Sequence, residues 1–149
     1  MGNKQHLAYG ELEKAINELY REIEESGFSP DSVVSIHRGG DPLGIRISHR
    51  FNIPQGIVNA NHYDGEERQE IVEIQGKILE PVEGDVILVD DIVDTGKTME
   101  EVEKKLEGYE KVDCIKTASI HTKERTVYKP DFTYSNIDSS IWIVYPWEE

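Results

Sequence analysis

The spacing of apolar and polar positions predicts a helix close to the beginning of the chain. Through residues 9–25, apolar side chains recur at helical spacing, with glutamate, lysine and arginine between them. The apolar positions are Leu12, Ala15, Ile16, Leu19 and Ile23. Ser26-Gly27 is typical of a helix end, because glycine readily adopts the backbone conformation that terminates a helix. We therefore expect an amphipathic helix with one face against a core.

Short apolar runs predict strands further along the chain. The runs lie at residues 32–36, 55–61, 85–91, 112–120, 131–136 and 141–147, and helices are predicted over residues 45–51 and 97–106. Strands that alternate with helices indicate an α/β domain whose sheet is largely parallel. The chain has 149 residues, the length of one ordinary domain, and we expect a single domain over residues 1–149.

The segment from about residue 61 to residue 78 departs from this alternation. It is polar, contains several glycines, and is long for a plain connection. We expect it to contain a hairpin, with residues 70–74 as one arm. Long irregular segments in compact domains are often lids over a functional site, but a solvated surface hairpin would have the same composition.

Charge and cysteine content limit the classes of partner and compartment. The formal net charge is −14 and the sequence pI is about 4.7, which argues against binding to nucleic acid or to anionic membranes. Cys114 is the only cysteine, so no intrachain disulfide can form. Its apolar neighbours predict a buried side chain. No apolar stretch approaches the ~20 residues of a membrane span, and we expect a soluble cytoplasmic protein.

The sequence "VILVDDIVDTGKT", residues 86–98, contains the strongest candidate chemistry. It ends like a phosphate-binding P-loop, but Asp91 stands where a P-loop has its first glycine. Thr95 and Thr98 flank the beginning of the next predicted helix, where backbone N–H groups and the helix dipole favour an anion. Asp90 and Asp91 end the preceding strand, and adjacent carboxylates suit a ribose diol or Mg²⁺. Residues 90–98, the ribose-phosphate segment, are thus predicted to hold a ribose 5-phosphate.

The ribose-phosphate segment resembles the loop that binds phosphoribosyl pyrophosphate (PRPP) in type I phosphoribosyltransferases. A surface turn with an Asp/Thr helix cap would explain Asp94 and Thr95, but not the Asp90-Asp91 pair. The resemblance implies a mostly parallel central sheet flanked by helices, with a small flexible hood at about residues 61–78. It also implies that Asp90 and Asp91 hold the ribose hydroxyls and that Asp91 contacts Mg²⁺. The residues implied at the 5-phosphate are Thr95, Gly96, Lys97 and Thr98, and Asp94 is the implied general base.

A second segment, "SIHRGGDPLG" at residues 35–44, supports this resemblance. Arg38-Gly39-Gly40 follows a predicted strand, where a guanidinium and close backbone N–H groups could bind pyrophosphate. An ordinary glycine turn with a solvated arginine is the alternative. The family often has a non-proline cis peptide in this loop. His37 occupies the place where the family usually has a small residue, and it could contact pyrophosphate or simply pack.

The last third of the chain resembles the 6-oxopurine subfamily, the xanthine–guanine phosphoribosyltransferases. Lys123 follows a predicted strand, and Trp142 and Ile143 lie in "SSIWIVYPW". The resemblance implies that Lys123 donates to the purine 6-oxo group, that Trp142 stacks on the base, and that the Ile143 backbone meets its edge. From the residues alone, a surface lysine and a core tryptophan would be the simpler interpretation.

Together, these resemblances imply a Mg²⁺-dependent enzyme of purine salvage. It would transfer the 5-phosphoribosyl group of PRPP to guanine, xanthine or hypoxanthine and release pyrophosphate. The family is usually oligomeric, and we expect a homodimer or homotetramer. Two alternatives are a phosphoribosyltransferase for another base and a non-catalytic regulator that senses PRPP.

Overall fold

A computed structural model describes residues 3–64, 70–75 and 82–149. In chain order, the elements are β1 (Asn3–His6), α1 (Tyr9–Ser26), β2 (Ser32–His37), α2 (Asp41–Phe51), β3 (Gln55–Asp64), β4 (Glu70–Gln75), β5 (Gly84–Val93), α3 (Lys97–Glu107), β6 (Val112–Lys123), β7 (Phe132–Ile137), β8 (Ile141–Val144) and a 3-10 helix (Pro146–Glu148). In these described ranges, no helix is long and apolar enough to cross a bilayer.

Six strands form the main sheet in the order β4-β3-β2-β5-β6-β7. All neighbouring strands run parallel except β3 and β4, which pair antiparallel as a hairpin. The predicted α/β class and the largely parallel sheet are confirmed. The hairpin arm predicted at residues 70–74 corresponds to β4, which pairs with residues 59–64. The rest of the predicted hood, residues 65–69 and 76–78, lies outside the described residues.

Hydrophobic layers cover both faces of the sheet. Side chains of neighbouring strand residues point to opposite faces, so Val33 and Ile87 join one core while Val34 and Leu88 join the other. Helices α1 and α2 supply the first core, and α3 supplies the second through Met99, Val102 and Leu106. The sheet is therefore packed between helices, and the ends of its central strands remain available for a site.

Helix α2, strand β1 and Cys114 depart from what the sequence predicts. Helix α2 begins at Asp41 rather than at residue 45, because Pro42 is compatible with the first turn of a helix, where no intrahelical N–H bond is lost. Strand β1 was not predicted, because it is a short polar strand; it pairs with β8 in a separate two-stranded sheet.

The prediction of a buried Cys114 is wrong. This cysteine is exposed near the beginning of β6, beside a register shift at Gly84/Asp85.

Candidate active site

Strand β5 carries the paired acids beyond the end of its neighbour β2. Pairing between β2 and β5 ends at Ser35 and Val89, whereas the pairing of β5 with β6 continues to Val93. Asp90 and Asp91 were predicted to end this strand, but β5 continues to Val93 and both acids lie within it. Because β2 has already turned away, one side of this part of β5 is left to the loop that follows β2.

That loop, residues 38–40, passes very close to the acids. A Cβ atom at Gly39 would lie 2.3 Å from Asp91 Oδ2, and one at Gly40 would lie 2.7 Å from the Val89 carbonyl oxygen. Both glycines are thus required by close approach, since any side chain would displace the acid or the strand. The His37–Arg38 peptide bond is cis, as the resemblance implied. The two predicted ligand loops are therefore adjacent.

The two carboxylates are costly to hold in their charged forms. Burial raises the pKa of Asp90 well above its ordinary value, and the neighbouring Asp91 charge raises it further. Burial also raises the pKa of Asp91. Their nearest stabilising contacts are backbone groups, since the Asp91 N–H donates to Asp90 Oδ1 at 2.8 Å and the Ile92 N–H donates to Asp91 Oδ1 at 2.7 Å. A cation or a ligand hydroxyl at this place would relieve the repulsion.

A buried hydrogen-bonded pair supports the acids from beneath. The Tyr145 hydroxyl donates to the Asp91 carbonyl oxygen at 3.1 Å and lies 2.8 Å from His121 Nδ1. Since the hydroxyl has one proton and gives it to Asp91, His121 donates through Nδ1–H. Burial lowers the pKa of His121 to about 4, so the ring is neutral at pH 7. The pair fixes the backbone of β5 at Asp91.

A first cavity of about 650 Å³ opens over these residues, a size suited to a small organic ligand. It brings together seven of the predicted site residues: Arg38, Gly39, Asp91, Asp94, Lys123, Trp142 and Ile143. The Lys123 side chain is only 12% exposed, and its Nζ lies 3.7 Å from Asp94 Oδ2. Trp142 is 58% exposed, so it is not the core aromatic that the residues alone suggested.

A second cavity of about 200 Å³ lies over the beginning of α3. Its lining includes the predicted residues Asp90, Asp94, Thr95, Gly96 and Thr98. Gly96 has a φ of 90°, and a Cβ there would lie 2.4 Å from Tyr128 Cβ, so both conformation and space require glycine. The Lys97 ammonium pairs with Glu101 at 3.0 Å, and the Lys97 N–H donates to Thr95 Oγ1 at 3.3 Å. The predicted residue Lys97 is not among the residues that line this cavity.

Comparisons with known proteins show the family to which the chain belongs. Residues 3–149 match the phosphoribosyl transferase domain family. The chain belongs to the phosphoribosyltransferase family. A purine phosphoribosyltransferase from Pyrococcus horikoshii is 31% identical with a TM-score of 0.84, over 98% of this chain and 95% of that one. The Helicobacter pylori xanthine-guanine-hypoxanthine phosphoribosyltransferase is 27% identical with a TM-score of 0.82, over 98% and 94%. The Idiomarina loihiensis xanthine-guanine phosphoribosyltransferase is 24% identical, over 95% of this chain and 85% of that protein.

The predicted type I phosphoribosyltransferase fold, a mostly parallel sheet flanked by helices, is thus confirmed. Sequence analysis of this phosphoribosyltransferase nevertheless missed Arg125. Its Nε and one terminal nitrogen donate to the two carboxylate oxygens of Asp94 at 2.5 and 2.6 Å. His37, whose role was left open, lies 2.6 Å from Asp41 through its Nδ1 at the beginning of α2.

Proposed function

We propose that this phosphoribosyltransferase transfers the 5-phosphoribosyl group of PRPP to a 6-oxopurine and releases pyrophosphate. The observation that carries the proposal is the position of Asp94, which lines both cavities. One cavity has groups suited to a purine, and the other has groups suited to a sugar phosphate. A carboxylate at their junction is well placed for a reaction that joins the two ligands.

The sugar phosphate would lie over β5 and α3. Backbone N–H groups of Gly96, Lys97 and Thr98, together with the α3 dipole, would bind the 5-phosphate. Asp90 and Asp91 would accept hydrogen bonds from the ribose hydroxyls. Arg38 and Gly39 line the first cavity together with Asp91, and the Arg38 guanidinium and the Gly39 N–H would bind pyrophosphate there.

The paired acids also fit Mg²⁺, which prefers one or two carboxylates together with substrate phosphates and water. Asp91 would be its contact, since this carboxylate faces the first cavity and its pKa is raised. When bound there, Mg²⁺ would supply positive charge to the departing pyrophosphate. The requirement for a divalent cation would appear as loss of turnover in a chelator.

The purine would enter the first cavity between Trp142 and Lys123. The exposed indole offers a stacking surface, and the nearly buried ammonium would donate to the 6-oxo oxygen. Adenine would present a second donor there, and sites built on hydrogen bonds can discriminate by ~10⁴-fold or more. The Ile143 backbone would meet the edge of the base.

In the reaction, the purine nitrogen forms a bond to ribose C1 as the bond from C1 to the pyrophosphate oxygen breaks. The proton on the imidazole side of the purine would pass to the Asp94 carboxylate, and the electron pair of the broken C1–O bond would leave with pyrophosphate. Positive charge builds on the ribose and negative charge on the leaving group, which Arg38 would stabilise. Positioning and charge supply most of the catalysis.

The test is pyrophosphate release from PRPP and Mg²⁺ with guanine, xanthine, hypoxanthine, adenine and uracil. Release with at least one 6-oxopurine, and much less with adenine and uracil, is the expected result. Lys123→Ala should reduce turnover with 6-oxopurines by about tenfold or more and decrease the ratio of that turnover to turnover with adenine. The control variant Lys129→Ala, at an exposed residue, should change neither quantity. Binding of PRPP without release for any base would contradict the proposal and favour a PRPP sensor.

The enzyme would act in the cytoplasm as a homodimer or homotetramer, as the family resemblance suggests. Light scattering of the purified protein at high salt tests the assembly. A particle with the mass of one 17.0 kDa chain would contradict it.

A further inference from the structure

The ion pair between Arg125 and Asp94 conflicts with the role of Asp94 as a base. Both carboxylate oxygens accept hydrogen bonds from the guanidinium, at 2.5 and 2.6 Å. Lys123 adds a third positive contact at 3.7 Å. A carboxylate held in a bidentate pair of this kind has one lone pair of each oxygen engaged and its charge neutralised. It is therefore a much weaker base for a purine proton until the guanidinium leaves at least one oxygen.

Arg125 also lines the second cavity, beside the groups that would bind the 5-phosphate. Of the described residues that line this cavity, it is the only basic one. Lys97 directs its ammonium to Glu101 instead. A phosphate dianion placed over Thr95 and Gly96 would therefore meet the Arg125 guanidinium as its nearest full positive charge.

The backbone of Arg125 is anchored while its side chain is half exposed. The Arg125 N–H donates to Ser139 Oγ at 2.9 Å, and the Val127 N–H donates to the Thr95 carbonyl oxygen at 3.3 Å. The side chain is 55% exposed, so little packing opposes a change of rotamer. The guanidinium can thus exchange one anionic partner for another without moving the loop.

We propose, on the basis of the function proposed above, that Arg125 is a phosphate-binding residue shared between Asp94 and the 5-phosphate. Without a sugar phosphate, Arg125 neutralises Asp94. When the 5-phosphate occupies the second cavity, the guanidinium turns to it and at least one oxygen of Asp94 is released toward the purine. Arrival of the phosphorylated sugar therefore prepares the base, whereas a purine that binds first meets a carboxylate whose basicity the guanidinium has lowered.

The two anions compete for one guanidinium, which predicts a diagnostic pattern of binding. We would measure the affinity of ribose 5-phosphate by calorimetry, without metal or purine, for the wild type, Arg125→Ala, Asp94→Asn and the double variant. Arg125→Ala should weaken binding by about tenfold to a hundredfold, the range for hydrogen bonds to charged groups. Asp94→Asn should strengthen binding, because Arg125 no longer has to leave a carboxylate.

The double variant separates this exchange from simple electrostatics. If Asp94 only repelled the phosphate, Asp94→Asn would raise the affinity for ribose 5-phosphate by the same factor whether residue 125 is arginine or alanine. Under the proposal, the gain from Asp94→Asn largely disappears when Arg125 is alanine, and the two effects are strongly non-additive. Additive effects would overturn the proposal, as would an Arg125→Ala variant that binds ribose 5-phosphate like the wild type.

Controls keep the result distinct from failure of the proposed function. Lys129→Ala removes one nearby positive charge on the exposed surface and should leave the affinity unchanged. If the wild type binds ribose 5-phosphate and turns over purines, and Arg125→Ala binds ribose 5-phosphate with the same affinity, only the role of Arg125 is overturned. A wild type that binds neither ribose 5-phosphate nor PRPP would overturn both. Thermal melting of each variant verifies that it is folded.

Discussion

The buried His121 should make the stability of this protein depend steeply on pH. Its side chain is 5% exposed, and burial lowers its pKa to about 4 from an ordinary value of 6.5. Between these values the unfolded chain binds a proton that the folded protein does not bind. His121 therefore does not lower the free energy of unfolding above about pH 6.5, and the protein loses stability as the pH falls from there toward 4.

The magnitude follows from the difference between the two pKa values. A difference of about 2.5 units, at about 1.4 kcal/mol per unit, corresponds to about 3 kcal/mol. This is a large fraction of the 5–15 kcal/mol that typically stabilises a folded domain. His121→Phe keeps an aromatic ring in the same position and removes the titrating group. Tyr145 keeps its bond to the Asp91 carbonyl oxygen, so it is not left without a partner.

Urea unfolding at several pH values between 7 and 4, followed by tryptophan fluorescence, measures this difference. The wild type should lose about 3 kcal/mol more than His121→Phe over this range. Carboxylates titrate in the same window, but their contribution is common to both proteins and cancels in the comparison. His49→Gln, an exposed histidine on α2, is the matched control and should follow the wild type. Parallel curves for wild type and His121→Phe would refute the assignment of the lowered pKa to His121.

Three further substitutions test the acids and the close approach beside them. Because burial raises the Asp90 pKa, ionisation of this carboxyl destabilises the folded protein, and stability falls as the pH rises from the ordinary aspartate pKa through the raised one. Asp90→Asn should raise the melting temperature at pH 7, with a smaller gain near pH 4, and should lose PRPP turnover. Gly39→Ala should lower stability by about 1–3 kcal/mol and weaken PRPP binding, because its Cβ would lie 2.3 Å from Asp91 Oδ2; wild-type urea and PRPP titrations would contradict this. Asp94→Asn should retain PRPP binding by calorimetry and lose most turnover, and full activity would remove Asp94 from the role of base.

The sheet and the ligand loops were predictable because their signals are local. The two central strands β2 and β5 contain short apolar runs, and each ligand loop follows one of these runs directly. In the ribose-phosphate segment, the two acids and the glycine turn lie in one stretch of residues 90–98. Parallel strands then place such loops at a common edge of the sheet, so adjacency in space follows from the fold class.

The supporting contacts of the site were not predictable because they join distant parts of the chain. Arg125 and Asp94 are 31 residues apart, and Tyr145 and Asp91 are 54 residues apart. Arginine and tyrosine near the end of a chain carry no spacing signal of their own. Their partners depend on the β5–β6 register, in which Ile92 pairs with His121.

The net charge of −14 says little about affinity for a small anion such as PRPP. At physiological salt, the Debye length is about 8 Å, so acids elsewhere on the surface are largely screened from the cavities. What matters is the local balance of charge. Three basic residues, Arg38, Lys123 and Arg125, line the two cavities together with three aspartates and Glu148. Two of these cations, Lys123 and Arg125, contact Asp94. The phosphate groups of the substrate must therefore draw these cations away from Asp94. Its hydroxyls, with any cation that accompanies it, must reduce the repulsion between the buried carboxylates of Asp90 and Asp91.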